Sequence, residues 1–183
     1  SSGWEQLAKK AQDVIDDYHR KFPARLGMPK GELSSKLGLV PHSPALQRLF
    51  GDNVLVEEGT FVRLPSYQLK LTHQQQEKID AFLRALNQNP YSPPSDITLE
   101  PDLLNLLIEQ HQVVKVSGGV VFSASAYKEM VDKVVAYAKV KGKVTLGEVR
   151  DMLGTSRKYV QVLLEHMDEK KLTRRVGDER VLR

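Results

Sequence analysis

An internal repeat governs how this 183-residue chain can fold. Three helical segments followed by a two-stranded hairpin occur three times, with a period of about 60 residues. Matching pairs align the first and third copies. Gly31-Glu32-Leu33 and Gly147-Glu148-Val149 begin the second helices, and Leu37-Gly38 and Leu153-Gly154 end them. Such self-similarity indicates tandem modules more strongly than one α+β domain built of unrelated pieces, which is the alternative.

Three helices and a hairpin make the winged-helix form of the helix-turn-helix, whose third helix usually reads the nucleic acid. The sequence therefore predicts a mainly α fold with small β-hairpins, organised as three tandem winged-helix domains. Their predicted bounds are 1–65, 66–123 and 124–183.

Local signals place the elements of the first two copies. In the first, apolar spacing predicts a helix over Trp4–Lys21, Ser43 caps a third helix, and the hairpin turns at Glu58-Gly59. In the second, Thr72 caps a long helix that residues 87–95 break. This insert either replaces the second helix or shortens it to Ser95–Leu99.

The third copy is the most regular. Its first helix starts near Ala124 and ends at Gly142, and Thr145 with Glu148 has capping-box spacing at the start of the second. Thr155 and Ser156 are expected to cap the third helix. A hairpin around Gly177-Asp178 ends the copy.

Charge is distributed unevenly between the copies. The whole chain carries +4, but residues 124–183 hold 14 Lys and Arg against 9 Asp and Glu, a net +5, while residues 66–123 carry −2. A basic end on an otherwise neutral chain favours a polyanionic partner such as RNA, DNA or anionic lipid. The alternative is surplus lysine that is merely solvated.

Motifs for chemistry are missing from the sequence. There is no Cys, the five His show no metal-ligand spacing, and no phosphate-binding glycine loop or nucleophile elbow occurs. We therefore expect no catalytic residues, no metal and no cofactor. No apolar run approaches a membrane span. The first residues lack a signal core and an initiating Met, so we expect a fragment of a longer protein. We also expect it to be cytoplasmic and monomeric.

Two basic clusters in the last copy form the candidate binding surface. The first is the start of the third helix, where free amides favour phosphate and cationic side chains add charge. Tyr159 stacks on a base or donates its hydroxyl there, or else it packs in the core. The second is the hairpin, where Asp178 is expected to accept from a base edge and to repel other partners. The predicted RNA-binding residues are Lys143, Ser156, Arg157, Lys158, Tyr159, Arg174, Arg175, Val176, Gly177 and Asp178.

Three blocks in this region resemble the C-terminal end of bacterial selenocysteine-specific elongation factors, the SelB family. They are Gly154-Thr-Ser-Arg-Lys-Tyr159, Leu163-Leu164-Glu165 and Thr173-Arg-Arg-Val-Gly-Asp178, and Leu26–Leu33 is similar to an upstream family motif. The resemblance implies the last three of four winged-helix domains, without the GTPase part that binds GTP.

The resemblance also implies a function. The last domain is expected to bind the apical stem-loop of the selenocysteine insertion (SECIS) hairpin in mRNA, so that selenocysteinyl-tRNA is delivered at UGA codons. The ribosome is then a partner through the longer protein. Two alternatives remain at this point: a DNA-binding winged-helix regulator and a tandem winged-helix scaffold for protein interactions.

Overall fold

The computed structural model describes residues 2–183, with side chains from residue 3 onward. The chain divides into two compact units, an N-terminal unit ending at Gln75 and a C-terminal unit running from Gln76 to Arg183. In the described residues the fold is mainly α with three small antiparallel sheets, so the predicted fold class is confirmed. No helix in this range combines the length and the apolar character needed to cross a bilayer.

The N-terminal unit has the predicted order with one addition. Its elements are α1 (Ser2–Lys21), β1 (Met28–Pro29), α2 (Lys30–Leu37), α3 (Pro44–Gly51), β2 (Val56–Glu58) and β3 (Phe61–Arg63). The unpredicted strand β1 pairs with β3, which makes a three-stranded sheet in the order β1-β3-β2. The residue before β1 is Gly27. A Cβ at this position would lie 2.4 Å from the carbonyl oxygen of Val62, which is too close for any other residue.

The segment after β3 is fastened to α1 by a buried histidine. The amide of Leu64 donates to His19 Nε2 at 3.2 Å, and the imidazole stacks on Tyr67 with centroids 3.5 Å apart. The Tyr67 hydroxyl donates to the carbonyl oxygen of Arg25 at 2.9 Å. Burial lowers the pKa of His19 below its ordinary value, so the ring is held in its neutral, accepting form.

The C-terminal unit contains the remaining elements. They are most of α4 (His73–Gln88), α5 (Pro101–Glu109), β4 (Val113–Lys115), a 3-10 turn (Ser117–Gly119), β5 (Val121–Ser123), α6 (Ala124–Lys141), β6 (Val144–Thr145), α7 (Leu146–Leu153), α8 (Arg157–Glu169), β7 (Thr173–Val176) and β8 (Glu179–Leu182). Residues 89–99 form no helix, so the insert replaces the second helix of this copy rather than shortening it. Strand β6 was not predicted, and it joins β8 in a sheet of order β6-β8-β7.

One hydrophobic core is shared by the middle and last copies within this unit. Val120 and Phe122, from the hairpin of the middle copy, pack with Met130 of α6 and Leu164 of α8. The proposed domain boundary at 123/124 therefore lies inside a shared core. Division of the chain into three winged-helix domains at 65/66 and 123/124 stays a prediction.

Candidate nucleic-acid interface

The start of α8 is a helix terminus without a side-chain cap. Gly154 ends α7 in the left-handed conformation, with φ of 63°, and Ser156 occupies the N-cap position of α8. The expected capping hydrogen bond is absent, because the Ser156 side chain accepts none from the helix amides. Its carbonyl oxygen accepts from Tyr159 and Val160, both at 3.2 Å. Among the described residues, the amides of Arg157 and Lys158 have no intrahelical acceptor and can bind an anion.

Two exposed cations stand on this first turn. Arg157 and Lys158 are both exposed, and among the described residues neither forms a salt bridge with a carboxylate. The Lys158 ammonium lies 5.4 Å from the centroid of the Tyr159 ring. Lys158 also lines a mainly apolar cavity of about 220 Å³ together with Pro93 and Pro94. The turn therefore combines two free amides with two cations that no carboxylate in the described part of the chain neutralises.

The two residues flanking this turn are held by the insert. Thr155 Oγ1 donates to the carbonyl oxygen of Tyr91 at 2.9 Å and lies 2.5 Å from Ser92 Oγ. The Tyr159 hydroxyl donates to the carbonyl oxygen of Pro93 at 2.6 Å, and the ring meets Phe122 edge-on. The Tyr159 hydroxyl, which was predicted to donate to RNA, thus already donates to a protein carbonyl. This agrees with the alternative in which Tyr159 packs within the protein.

The tip of the β7–β8 hairpin presents the second cluster. Arg174, Val176 and Asp178 are exposed, and Gly177 turns the chain with φ of 61°. Arg175 behaves differently, because its Nε donates to the carbonyl oxygen of Gly177 at 2.9 Å. The two arginines point to opposite faces, as strand alternation predicts, and Arg174 is the one left without a protein partner among the described residues.

An ion pair that the sequence analysis missed fixes this hairpin to α8. Asp168 accepts from the hydroxyl of Thr173 at 2.6 Å and lies 3.1 Å from a terminal nitrogen of Arg180. The Arg180 side chain is only 8% exposed. The missing signal was register, since only the β7–β8 pairing puts Thr173 and Arg180 on the same face.

Lys143 comes near the hairpin but is not free. Its ammonium lies 3.1 Å from a carboxylate oxygen of Glu179, because β6 pairs with β8. Arg150, on α7, contacts its neighbour Asp151 at 3.3 Å. These cations are partly neutralised, unlike those on the first turn of α8.

Polar contacts join α6 to α8 and α6 to α7. The Tyr127 hydroxyl lies 2.7 Å from Nδ1 of His166, and burial lowers the pKa of that imidazole. Thr145 and Glu148 form the predicted capping box at the start of α7. A hydrogen bond from Tyr137, followed by those from Thr145, lowers the pKa of the Glu148 carboxyl.

Comparison with known proteins identifies the family. Two models, both described as the winged helix of elongation factor SelB, match residues 12–64 and 136–182. Together they cover more than half of the chain. The chain belongs to the elongation factor SelB family. Every predicted site residue of this SelB chain lies within the second match, and the tandem winged-helix prediction is confirmed.

Individual SelB relatives are more distant. A selenocysteine-specific elongation factor from Desulfomicrobium baculatum is 26% identical over 196 residues, covering 97% of this chain and 30% of the relative. The crystal structure of bacterial selenocysteine-specific elongation factor EF-Sec matches the whole chain with a TM-score of 0.53 and 16% identity. The mRNA-binding domain of SelB from E. coli, solved in complex with SECIS RNA, has a TM-score of 0.47 and 20% identity over 62% of this chain and 99% of its own. The chain spans about 30% of the length of the first two proteins.

Proposed function

We propose that this chain is the mRNA-binding part of a selenocysteine-specific elongation factor and that its last copy, residues 124–183, grips the apical loop of a SECIS hairpin. Membership of the SelB family supports the assignment. The observation that carries it is the uncapped first turn of α8, where free amides lie beside exposed, unneutralised Arg157 and Lys158. The tip of the β7–β8 hairpin supplies the second contact through Arg174, Gly177 and Asp178.

The arrangement of charge on α8 favours RNA loops over a DNA groove. Only the first turn of the helix is cationic, whereas Glu165 and Glu169 give its far half a negative charge. A helix inserted along a major groove would bring those carboxylates close to phosphates. End-on contact avoids this repulsion. Readable bases in RNA are those splayed from loops and bulges, which a helix start and a hairpin tip can reach without entering a groove.

The described residues of the N-terminal unit do not combine an uncapped third helix with a hairpin of unpaired cations. Its α3 start is capped, since Ser43 Oγ accepts from the amide of Leu46 at 3.2 Å. The carboxylates of its hairpin are satisfied internally, with Glu57 bonded to Lys30 and Glu58 lying 2.7 Å from Arg63. We assign this unit a spacing role between the RNA-binding copy and the remainder of the longer protein.

The wider role follows from the same proposal. The longer protein would carry selenocysteinyl-tRNA to UGA codons on the ribosome, with GTP hydrolysis in a part outside this chain. This chain itself would act in the cytoplasm as a monomer and catalyse no reaction.

Binding of a SECIS-type hairpin, compared with an RNA duplex of equal length over a range of salt, tests the proposal. We expect tight binding of the hairpin alone. Arg157→Ala should weaken it by about 1–3 kcal/mol and reduce the salt slope by about one. Lys128→Ala is the control, because it removes an exposed cation of α6 that already pairs with Asp132 on the same helix. It should change affinity little.

Two results would exclude the proposal. Equal binding of hairpin and duplex would favour a groove-binding regulator. Binding of neither nucleic acid would favour a protein-interaction scaffold.

A further inference from the structure

The insert between α4 and α5 forms a rigid strap against the first turn of α8. We define the strap as residues 90–94, the run Pro-Tyr-Ser-Pro-Pro. Each proline fixes its own φ, so the strap loses little conformational entropy when it is ordered. Its first turn is closed by the amide of Ser92, which donates to the carbonyl oxygen of Asn89 at 3.0 Å. Pro93 is buried.

Tyr91 anchors the strap to α6. Its hydroxyl donates to a carboxylate oxygen of Glu129 at 2.8 Å and accepts from the ammonium of Lys133 at 3.1 Å. The same ammonium lies 5.1 Å from the centre of the Tyr91 ring. The strap is therefore fixed to a long helix of the core rather than resting loosely on the surface.

The hydrogen bonds from the strap bracket the proposed RNA-binding turn. Thr155, just before Ser156, donates to the Tyr91 carbonyl and pairs with the Ser92 hydroxyl. Tyr159, just after Lys158, donates to the Pro93 carbonyl. Helix ends without a side-chain cap fray. Here the strap steadies the uncapped helix end, because it holds the side chains on both sides of the exposed turn and leaves the amides of Arg157 and Lys158 free.

We propose that the strap, through Thr155 and Tyr159, preorganises the first turn of α8 for RNA, which makes these two residues positioning residues rather than direct contacts. This inference rests on the proposed function. Ordering a backbone residue costs about 1–2 kcal/mol, and a turn that is already ordered does not incur this cost on binding. Arg157 and Lys158 then bind the hairpin from a fixed base.

Isosteric substitutions in the full chain separate the hydroxyl contacts from packing. Thr155→Val removes the hydroxyl at nearly constant shape, Thr155→Ser retains it, and Tyr159→Phe keeps the ring on Phe122. We expect the Thr155→Val/Tyr159→Phe double variant to bind the hairpin about tenfold more weakly, through faster dissociation. Its salt slope should be unchanged, because no charge is removed. The Thr155→Ser/Tyr159→Phe double variant, which keeps a hydroxyl at position 155, should recover most of the affinity that the Thr155→Val/Tyr159→Phe variant loses.

Hydrogen exchange on the free chain provides the second measurement. The amides of residues 159 and 160, which bond to the Ser156 carbonyl, should exchange faster in the double variant than in the wild type, while those in the middle of α8 remain protected. Unchanged hairpin affinity in the double variant, whether or not the unfolding midpoint falls, would overturn the positioning role. Failure of the wild type itself to bind the hairpin would instead overturn the proposed function on which this role depends.

Discussion

Asp168→Ala should destabilise the C-terminal unit while leaving the N-terminal unit unchanged. The substitution removes the acceptor of the Thr173 hydroxyl and leaves the guanidinium of Arg180, which is 8% exposed, without its ion-pair partner. Removing one partner of a fully buried pair costs roughly 3–5 kcal/mol. The Asp168 side chain is 26% exposed, so water compensates in part and we expect about 2–3 kcal/mol. In a unit of this size that loss lowers the melting temperature by roughly 10 °C.

The position of the only tryptophan makes the assay specific. Trp4 lies in the N-terminal unit, 4.0 Å from the guanidinium carbon of Arg48, so its fluorescence reports that unit alone. Far-ultraviolet circular dichroism reports both units. Asp168→Ala should shift a transition seen by circular dichroism and leave the fluorescence transition in place.

A double variant tests the physical reason. If the cost comes from an unpaired buried cation, Asp168→Leu/Arg180→Leu should be markedly more stable than Asp168→Ala. A shift below about 1 kcal/mol for the single variant, or a double variant that is less stable than the single one, would refute the anchoring argument.

Three further predictions concern local features. Gly27→Ala should destabilise the N-terminal unit by about 2 kcal/mol or more, because the added Cβ would clash with the Val62 carbonyl. Gly31→Ala is the control and should not destabilise the unit, because the space around Gly31 is open. Trp4 fluorescence measures both. Thr145→Ala should lower the free energy of unfolding, followed by circular dichroism, by about 1 kcal/mol, because α7 loses its cap. Ser156→Ala should lower it clearly less, since Ser156 makes no capping bond, and equal losses in the two variants would contradict this. Burial lowers the pKa values of His19 and His166 in the folded chain, so the unfolded chain takes up protons at a higher pH than the folded chain does. The free energy of unfolding should therefore be highest above about pH 6.5 and should decrease as the pH falls towards the pKa values of the folded chain. Denaturant midpoints of wild type, His19→Gln and His166→Gln would check this, each variant losing part of the dependence.

Features encoded within a few residues were predictable. The Thr145–Glu148 capping box, the Ser43 cap and the left-handed Gly154 follow from neighbouring residues, so the helices lie where the sequence puts them. The strands β1 and β6 were missed because each has two residues and exists only through pairing with a distant strand. Periodicity cannot detect an element so short.

The candidate site was predictable in its charges but not in its supports. Arg157 and Lys158 are visible in sequence as cations at a helix start. The contacts of Thr155 and Tyr159 with the strap join residues more than 60 positions apart, and no local pattern encodes them. The prolines of the strap read as a break in a repeat, although in the folded unit the strap is bonded to α6 and to the residues at the start of α8.

Which cations of the last copy can bind a phosphate depends more on how its individual charges are paired than on its net charge. Several of the 14 cations in residues 124–183 are locally compensated: Lys128, Lys143 and Arg180 each lie against a carboxylate. Arg157, Lys158 and Arg174 have no such partner among the described residues. A phosphate that approaches these three groups displaces no internal ion pair, so its binding energy is not reduced by a broken contact. We therefore expect the copy that binds RNA phosphates to be decided by where cations are left unpaired.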